Sequence, residues 1–185
     1  EILVAPSWNK NRLNFINEDF EEILTNLLNK GFRVRFRPHP ETIKRSQSLM
    51  NLYKDKFNGP NFHFDDNPEN LEALQNAKCL ITDNSGISIE YMVLFKKPVI
   101  FYSDFDKIHN ENFEMYKDLE PIEDTIKDKF GYEFHKHEIN KIEKIIDQAI
   151  TKFDQKEIDN FLKDNFYNNG NTVEYFDKNF SKICF

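Results

Sequence analysis

Two short stretches carry residue types that could bind a phosphorylated ligand. The first is Arg37-Pro38-His39-Pro40, which follows an alternating apolar segment. Arginine carries a permanent charge that suits phosphate, and histidine exchanges a proton near neutral pH. The two prolines disfavour a helix, so we expect His39 on a rigid strand end. This predicts His39 as the catalytic residue and Arg37 as a substrate-binding residue; the alternative is a histidine that only packs at a strand end.

The second stretch is Ile81–Glu90, in which an apolar segment runs into a polar turn and then into apolar residues at helical spacing. Ser85 and Gly86 then lie at a helix N-terminus, where free amides and the helix dipole suit a phosphate. Gly86 lets an anion approach the backbone, and Ser85 adds a hydroxyl or caps the helix. Glu90, one turn on, could reach a ribose hydroxyl. Ordinary capping and turn chemistry is the alternative.

Short apolar strands and amphipathic helices must position these residues. We expect strands at 2–5, 32–36, 61–64, 78–82 and 98–102, and helices at 17–30, 43–57, 70–76 and from the turn at Gly86 to 95. This alternation predicts an α/β fold, a Rossmann-like parallel sheet with helices on both faces. Such sheets bind ligands at the carboxyl ends of their strands. Ser7, Asp83 and Asn84 also follow strand ends, so we include them among the substrate-binding residues.

We expect residues 1–185 to form a single domain, or one half of a two-domain enzyme. Its core β/α units span 1–106, a long charged loop spans 107–137, and C-terminal helices span 138–185. A loop of that length in a compact domain is usually functional or mobile. The helices are expected at 138–153, 155–166 and 172–183.

Composition excludes several classes of function. The formal net charge of −7 argues against general nucleic-acid binding, and no apolar run approaches the ~20 residues of a membrane span. Cys79 and Cys184 form no disulfide framework, which fits a reducing compartment. The His135-Lys136-His137 segment lacks the further ligands of a zinc site. Aspartates in turns are a weak signal for Mg²⁺, and the candidates are Asp65, Asp66, Asp104 and Asp106. We expect no metal and no cofactor.

Four segments together resemble the C-terminal half of the CDP-glycerol glycerophosphotransferase family, the teichoic-acid-type polymerases and primases. They are Ala5–Trp8, Arg37–Pro40, Ile81–Glu90, and Pro98–Tyr102 with Asp104 and Asp106. Asn169-Gly170 resembles the family's Asp-Gly near its end. The resemblance implies the C-terminal half of a GT-B fold, with an N-terminal acceptor domain missing from this chain.

The resemblance also implies roles for particular residues. His39 matches the family's essential histidine near the donor pyrophosphate, and Ser85 matches a phosphate-binding hydroxyl residue. The implied partners are a nucleotide-activated donor such as CDP-glycerol and a polyol or saccharide acceptor. The implied location is the cytoplasmic side of the cell membrane, with peripheral attachment through segments outside this chain.

Asn84, Gly86 and Glu90 depart from the usual family residues, which are Tyr, Ser and Asp. The variant Ser-Gly-x-x-x-Glu looks more like UDP-N-acetylglucosamine 2-epimerases and other GT-B enzymes. A UDP-sugar glycosyltransferase or 2-epimerase-like domain therefore remains an alternative. A non-catalytic α/β binding module is a second alternative.

Overall fold

A computed structural model describes residues 1–8, 15–16, 18–104, 113–116, 118, 121–168 and 170–184. Asp106 and Asn169, which the sequence analysis names, lie outside these ranges. The described chain divides into two compact units, Glu1–Phe153 and Asp154–Phe185, and the single domain expected over 1–185 stays a prediction. None of the helices in the described ranges is long and apolar enough to span a membrane.

Six strands form one parallel sheet in the first unit. They are β1 (Ile2–Val4), β2 (Val34–Phe36), β3 (Phe62–Phe64), β4 (Cys79–Thr82), β5 (Val99–Tyr102) and β6 (Gly131–Phe134). Their order across the sheet is β3-β2-β1-β4-β5-β6. The order reverses between β1 and β4, and right-handed connections then place the helices on opposite faces. This is the predicted α/β fold class.

Nine helices connect or follow the strands within the described ranges. The first unit contains α1 (Glu18–Asn29), α2 (Pro40–Arg45), α3 (Gln47–Lys56), α4 (Leu71–Asn76), α5 (Ile87–Phe95), α6 (Ile122–Phe130) and α7 (Ile142–Lys152). The second unit contains α8 (Gln155–Asn165) and α9 (Thr172–Cys184). Short 3₁₀ turns occupy Phe113–Tyr116 and Lys136–Lys141.

The apolar strands form the core because a parallel sheet covered by helices buries side chains on both faces. One face packs against α1, α3 and α7. The strand residues of this face are Ile2, Val4, Val34, Phe36, Cys79, Ile81, Ile100 and Tyr102, all at most 2% exposed. Val4 lies in register with Phe36 of β2 and with Ile81 of β4. The carboxyl ends of β1, β2 and β4 therefore meet at one edge.

The prediction of a continuous loop over 107–137 is wrong, because α6 and β6 lie within it. Strand β6 pairs with β5 along its whole length, with Gly131 opposite Val99 and Phe134 opposite Tyr102. Its alternating pattern is short and starts at a glycine, so it gives little strand signal by itself. Pairing with the edge of an existing sheet decides its structure.

The predicted helix over 43–57 is two helices that break at Ser46, whose φ of −132° is not helical. The expectation that both prolines exclude a helix is also wrong for Pro40, which is the first residue of α2. Proline is tolerated there because the first helical amide has no intrahelical partner. His39 thus lies at a strand-to-helix junction.

Candidate functional site

A cavity of about 400 Å³ lies at the carboxyl edge of the sheet, where the strand order reverses. Parallel α/β sheets bind ligands at this topological switch point. Five of the predicted site residues line the cavity: Arg37, His39, Ser85, Gly86 and Glu90. They come from chain segments that follow β2 and β4, and the sheet register brings these segments together.

The start of α5 forms one wall of the cavity. The amide and the hydroxyl of Ser88 both donate to the carbonyl of Ser85, at 3.0 and 2.6 Å. Gly86 is the N-cap residue and provides no side-chain cap. The amides of Ser85, Gly86 and Ile87 precede the first bonded amide of the helix, as at any helix start. The wall therefore presents backbone donors and the positive end of the helix dipole.

Neither backbone conformation nor packing requires glycine at position 86. Its φ of −56° is open to any residue. A Cβ atom built there meets no heavy atom within 4 Å. The missing side chain leaves open space beside the first amides of α5. An anion can approach the backbone through that space.

Arg37 lines the cavity, and its guanidinium is held in place by Asp65 and Pro68. Its Nη1 lies 3.1 Å from the Oδ2 atom of Asp65, and its Nη2 donates to the carbonyl of Pro68 at 3.5 Å. The side chain is only 11% exposed. Nη1 is buried and is not aligned for a hydrogen bond with any group in the described ranges. A buried donor without an aligned acceptor is unusual, and a ligand oxygen would satisfy it.

The ring of His39 has a defined hydrogen-bond direction. Its Nδ1 accepts a hydrogen bond from the amide of Glu41 at 3.1 Å, which caps α2. The nitrogen that accepts cannot carry the proton, so the neutral ring carries it on Nε2. His39 thus offers an Nε2–H donor on a residue that lines the cavity.

Glu90 lies on the same side of α5 as Gly86, because residues four apart are neighbours on a helix surface. It is exposed and lines the cavity. A carboxylate one turn from the anion-binding end can accept hydrogen bonds from hydroxyl groups of the same ligand. This placement agrees with the predicted contact to a ribose.

Ser7, Asp83 and Asn84 do not line the cavity. The amide and the hydroxyl of Ser7 donate to the two carboxylate oxygens of Asp83, at 2.7 and 2.6 Å. Asp83 is 1% exposed, so its carboxylate serves this internal pair. The hydroxyl of Thr82 also donates to the carbonyl of Ala5, at 2.6 Å. These bonds join the segments after β1 and β4; Asn84 is exposed beside them.

Sequence reasoning missed other residues that line the cavity or support it. The rest of the wall consists of Ala5, Pro6, Pro38, Pro40, Pro68, Asn70 and Ile87. Asp65, considered from sequence as a metal ligand, pairs with Arg37 and lies 3.4 Å from Nη1 of Arg35. The prolines next to several strand ends could have indicated that the cavity has a rigid wall. Nothing in the sequence indicates which arginine the buried aspartate meets.

Aspartates and histidines elsewhere have other contacts. Asp66 pairs with Lys54, and Asp104 Oδ1 lies 2.9 Å from Nδ1 of His135. The rings of His135 and His137 stack on each other. No group of three or more His, Cys, Asp or Glu side chains that could hold a metal occurs in the part of the chain that the structure describes.

Comparison with solved structures supports the fold. The chain is similar to the wall teichoic acid polymerase TagF, with a TM-score of 0.56 and 20% sequence identity. The match covers 88% of this chain and 37% of the TagF chain, so this chain spans well under half of that protein's length. The likeness confirms the predicted Rossmann-like fold class. A comparison with curated proteins finds no match.

The match to a protein-family model shows which family the chain belongs to. Residues 1–173, nearly the whole chain, match the family model described as CDP-Glycerol:Poly(glycerophosphate) glycerophosphotransferase. The resemblance that the motifs indicated is thereby confirmed: the chain belongs to the CDP-glycerol glycerophosphotransferase family.

Proposed function

We propose that this chain binds the nucleotide donor of a transferase in cell-surface polymer synthesis. The enzyme would move glycerophosphate or another polyol phosphate from a CDP-activated donor to a hydroxyl acceptor. One observation carries the proposal: an arginine, a histidine, a helix start and a carboxylate from separate segments meet in one cavity at the switch point. Family membership supports the class of reaction.

The donor's diphosphate would lie over the open space at Gly86. There the first amides of α5 and the hydroxyl of Ser85 can donate to its oxygens. The buried Nη1 of Arg37, which lies close to Asp65 but makes no aligned hydrogen bond, would donate to the same oxygens. The Nε2–H of His39 donates to the same group, and Glu90 accepts hydrogen bonds from the ribose.

In the proposed reaction the acceptor hydroxyl oxygen attacks the β-phosphorus of CDP-glycerol. A new P–O bond forms, and the bond between the β-phosphorus and the bridging oxygen breaks. The bridging oxygen leaves with its electron pair as part of CMP, and the hydroxyl proton passes to a base. Charge therefore grows on the leaving phosphate, where α5, Arg37 and His39 are arranged to stabilise it.

The acceptor's general base would lie in a separate N-terminal acceptor domain. We therefore expect the 185-residue chain to bind the donor but not to turn it over. In the whole protein, the reaction would take place at the cytoplasmic face of the membrane, where the polymer is built.

A second candidate is a domain that binds a UDP-sugar, as in glycosyltransferases or 2-epimerases. Glu90 favours it, because it lines the cavity four residues after Gly86, as the Ser-Gly-x-x-x-Glu variant requires. A non-catalytic α/β module remains the alternative from another class. It predicts no nucleotide affinity at all.

Isothermal titration calorimetry with CDP-glycerol, CDP, UDP and UDP-N-acetylglucosamine separates these candidates. We expect CDP ligands to bind more tightly than UDP ligands. Arg37→Gln should weaken binding by about tenfold or more, since hydrogen bonds to charged groups contribute roughly 1.5–3 kcal/mol. His39→Ala should weaken binding, whereas His63→Ala is the control because His63 is exposed away from the cavity. Tighter UDP binding would support the second candidate, and no binding would contradict both.

A further inference from the structure

Trp8 and three other residues form a closed ring of contacts next to the cavity. The Trp8 and His39 rings stack with centroids 6.2 Å apart and planes 25° apart. The guanidinium carbon of Arg45 lies 5.6 Å from the centroid of the Trp8 ring. Arg45 Nε donates to Glu41 at 2.9 Å, and the amide of Glu41 donates to His39 at 3.1 Å. Within this ring only His39 lines the cavity.

We propose that Trp8 is a positioning residue, which sets the plane of the His39 imidazole and so the direction of its Nε2–H. This inference rests on the proposed function, because it assigns Trp8 a part in how His39 meets the donor's phosphates. It assigns Trp8 no part in stacking on the nucleobase. A residue with that role has to line the cavity, and Trp8 does not.

The bond from the Glu41 amide places the Nδ1 atom of His39. The plane of the imidazole also depends on the side-chain torsions χ1 and χ2. A flat aromatic surface against the ring removes the remaining rotation, because offset stacking is favourable over a narrow range of angles. With both contacts present, Nε2 has one direction.

Trp8 is itself held from two sides. Ser7, the preceding residue, is bound through its amide and hydroxyl to the buried Asp83. On the ring itself, Arg45 makes a cation–π contact, and Glu41 holds the guanidinium in place. The hydrogen bond from Arg45 lowers the pKa of Glu41, a carboxylate that is charged at neutral pH with or without this shift. The position of Trp8 is thus linked both to the end of β4 and to α2.

Two substitutions separate positioning from packing. Trp8→Phe keeps a flat ring that can stack on His39. Trp8→Leu keeps apolar bulk but loses the aromatic face. A residue that only fills space tolerates Leu about as well as Phe, whereas a positioning residue tolerates Phe alone.

The test measures two quantities in the wild-type chain, Trp8→Phe, Trp8→Leu, His39→Ala and the Trp8→Leu/His39→Ala double variant. The first is the orientation of the His39 ring, read by NMR from three-bond couplings that report χ1 and from NOEs of the ring protons. The second is the affinity for CDP. Circular dichroism and thermal melting verify that each variant folds.

We expect one orientation of the His39 ring in the wild type and in Trp8→Phe, and averaging over several orientations in Trp8→Leu. Affinity for CDP should fall about fivefold in Trp8→Leu and return to within about twofold of wild type in Trp8→Phe. The double variant should bind no more weakly than His39→Ala. An unchanged ring orientation in Trp8→Leu, or an equal loss of affinity with and without His39, would overturn the inference. If the wild type binds no nucleotide, the proposed function fails, and the NMR comparison still decides whether Trp8 orients His39.

Discussion

At the scale of single residues, the site depends on one missing side chain. Gly86 has an ordinary helical φ and open space where its Cβ would be. Glycine is among the residues that N-cap positions favour, so capping alone accounts for it here. The missing side chain also leaves the α5 amides open to close approach of a ligand.

Gly86→Ala should therefore separate stability from binding. We expect the free energy of unfolding to fall by no more than about 1 kcal/mol, since alanine is the poorer N-cap residue but its methyl group meets nothing. The affinity for CDP should fall by about tenfold, because the methyl group occupies the anion's approach. Gly59→Ala is the matched control, since it also makes only an ordinary contact, at 3.9 Å, and does not line the cavity. Equal CDP affinity in the two variants would contradict the placement of the diphosphate.

The stacked pair of Trp8 and His39 predicts an optical signal. Trp8 is the only tryptophan of the chain. Its emission should fall as pH decreases from about 8 to 5, because histidines become protonated in this range and an imidazolium quenches indole. The titration should vanish in His39→Ala and persist in His63→Ala. A pH-dependent signal that survives in His39→Ala would show that another group reports on Trp8.

The sequence alone predicted those cavity residues whose position follows from their place just after a strand. Arg37, His39, Ser85 and Gly86 each follow a strand end, and strand ends of a parallel sheet share an edge. Asp83 also follows a strand end, but its carboxylate binds Ser7, which lies 76 residues away in sequence. Nothing local indicates that partner, so the sequence pattern could not predict this pairing.

At the scale of elements, the junction of α6 and β6 shows what the sequence pattern misses. A Cβ atom at Gly131 would lie 2.5 Å from the carbonyl oxygen of Lys127 and 2.6 Å from the Phe101 ring. Helix α6 can turn directly into β6 only because this residue has no side chain. The sequence pattern predicted neither α6 nor β6. Strand β6 has only four residues and takes its register from β5.

Gly131→Ala should lower the free energy of unfolding by about 1–3 kcal/mol. The new methyl group would overlap the carbonyl oxygen of Lys127 and the buried Phe101 ring, and neither a backbone atom nor a buried ring moves aside easily. Urea denaturation of the variant and of Gly59→Ala measures the difference. A variant as stable as wild type would mean that the close approach of β6 to Phe101 is absent in solution.

At the scale of the whole molecule, the cavity exists because the sheet reverses its order between β1 and β4. The pair of Ser7 and Asp83 ties the segments after these two strands together at that point. One segment continues to Trp8 beside His39, and the other leads to the start of α5. This internal bond therefore sets the distance between the two sides of the proposed phosphate site.

Removal of that bond should affect both stability and binding. Asp83→Ala should cost about 2–3 kcal/mol of stability, since it leaves the Ser7 amide without its charged acceptor. Ser7→Ala removes only the hydroxyl bond and should cost about 1 kcal/mol. Chemical denaturation gives the two values. An Asp83→Ala variant that is no less stable than Ser7→Ala would mean that the amide bond contributes little.

The central claim is that strand-end groups and the start of α5 form one anion-binding pocket, and a crystal structure of the chain with CDP tests it most directly. We predict diphosphate oxygens within hydrogen-bond distance of the amides at Ser85–Ile87, with Nη1 of Arg37 and Nε2 of His39 on the same group. A diphosphate bound elsewhere, or a cavity that stays empty at saturating CDP, would contradict the account.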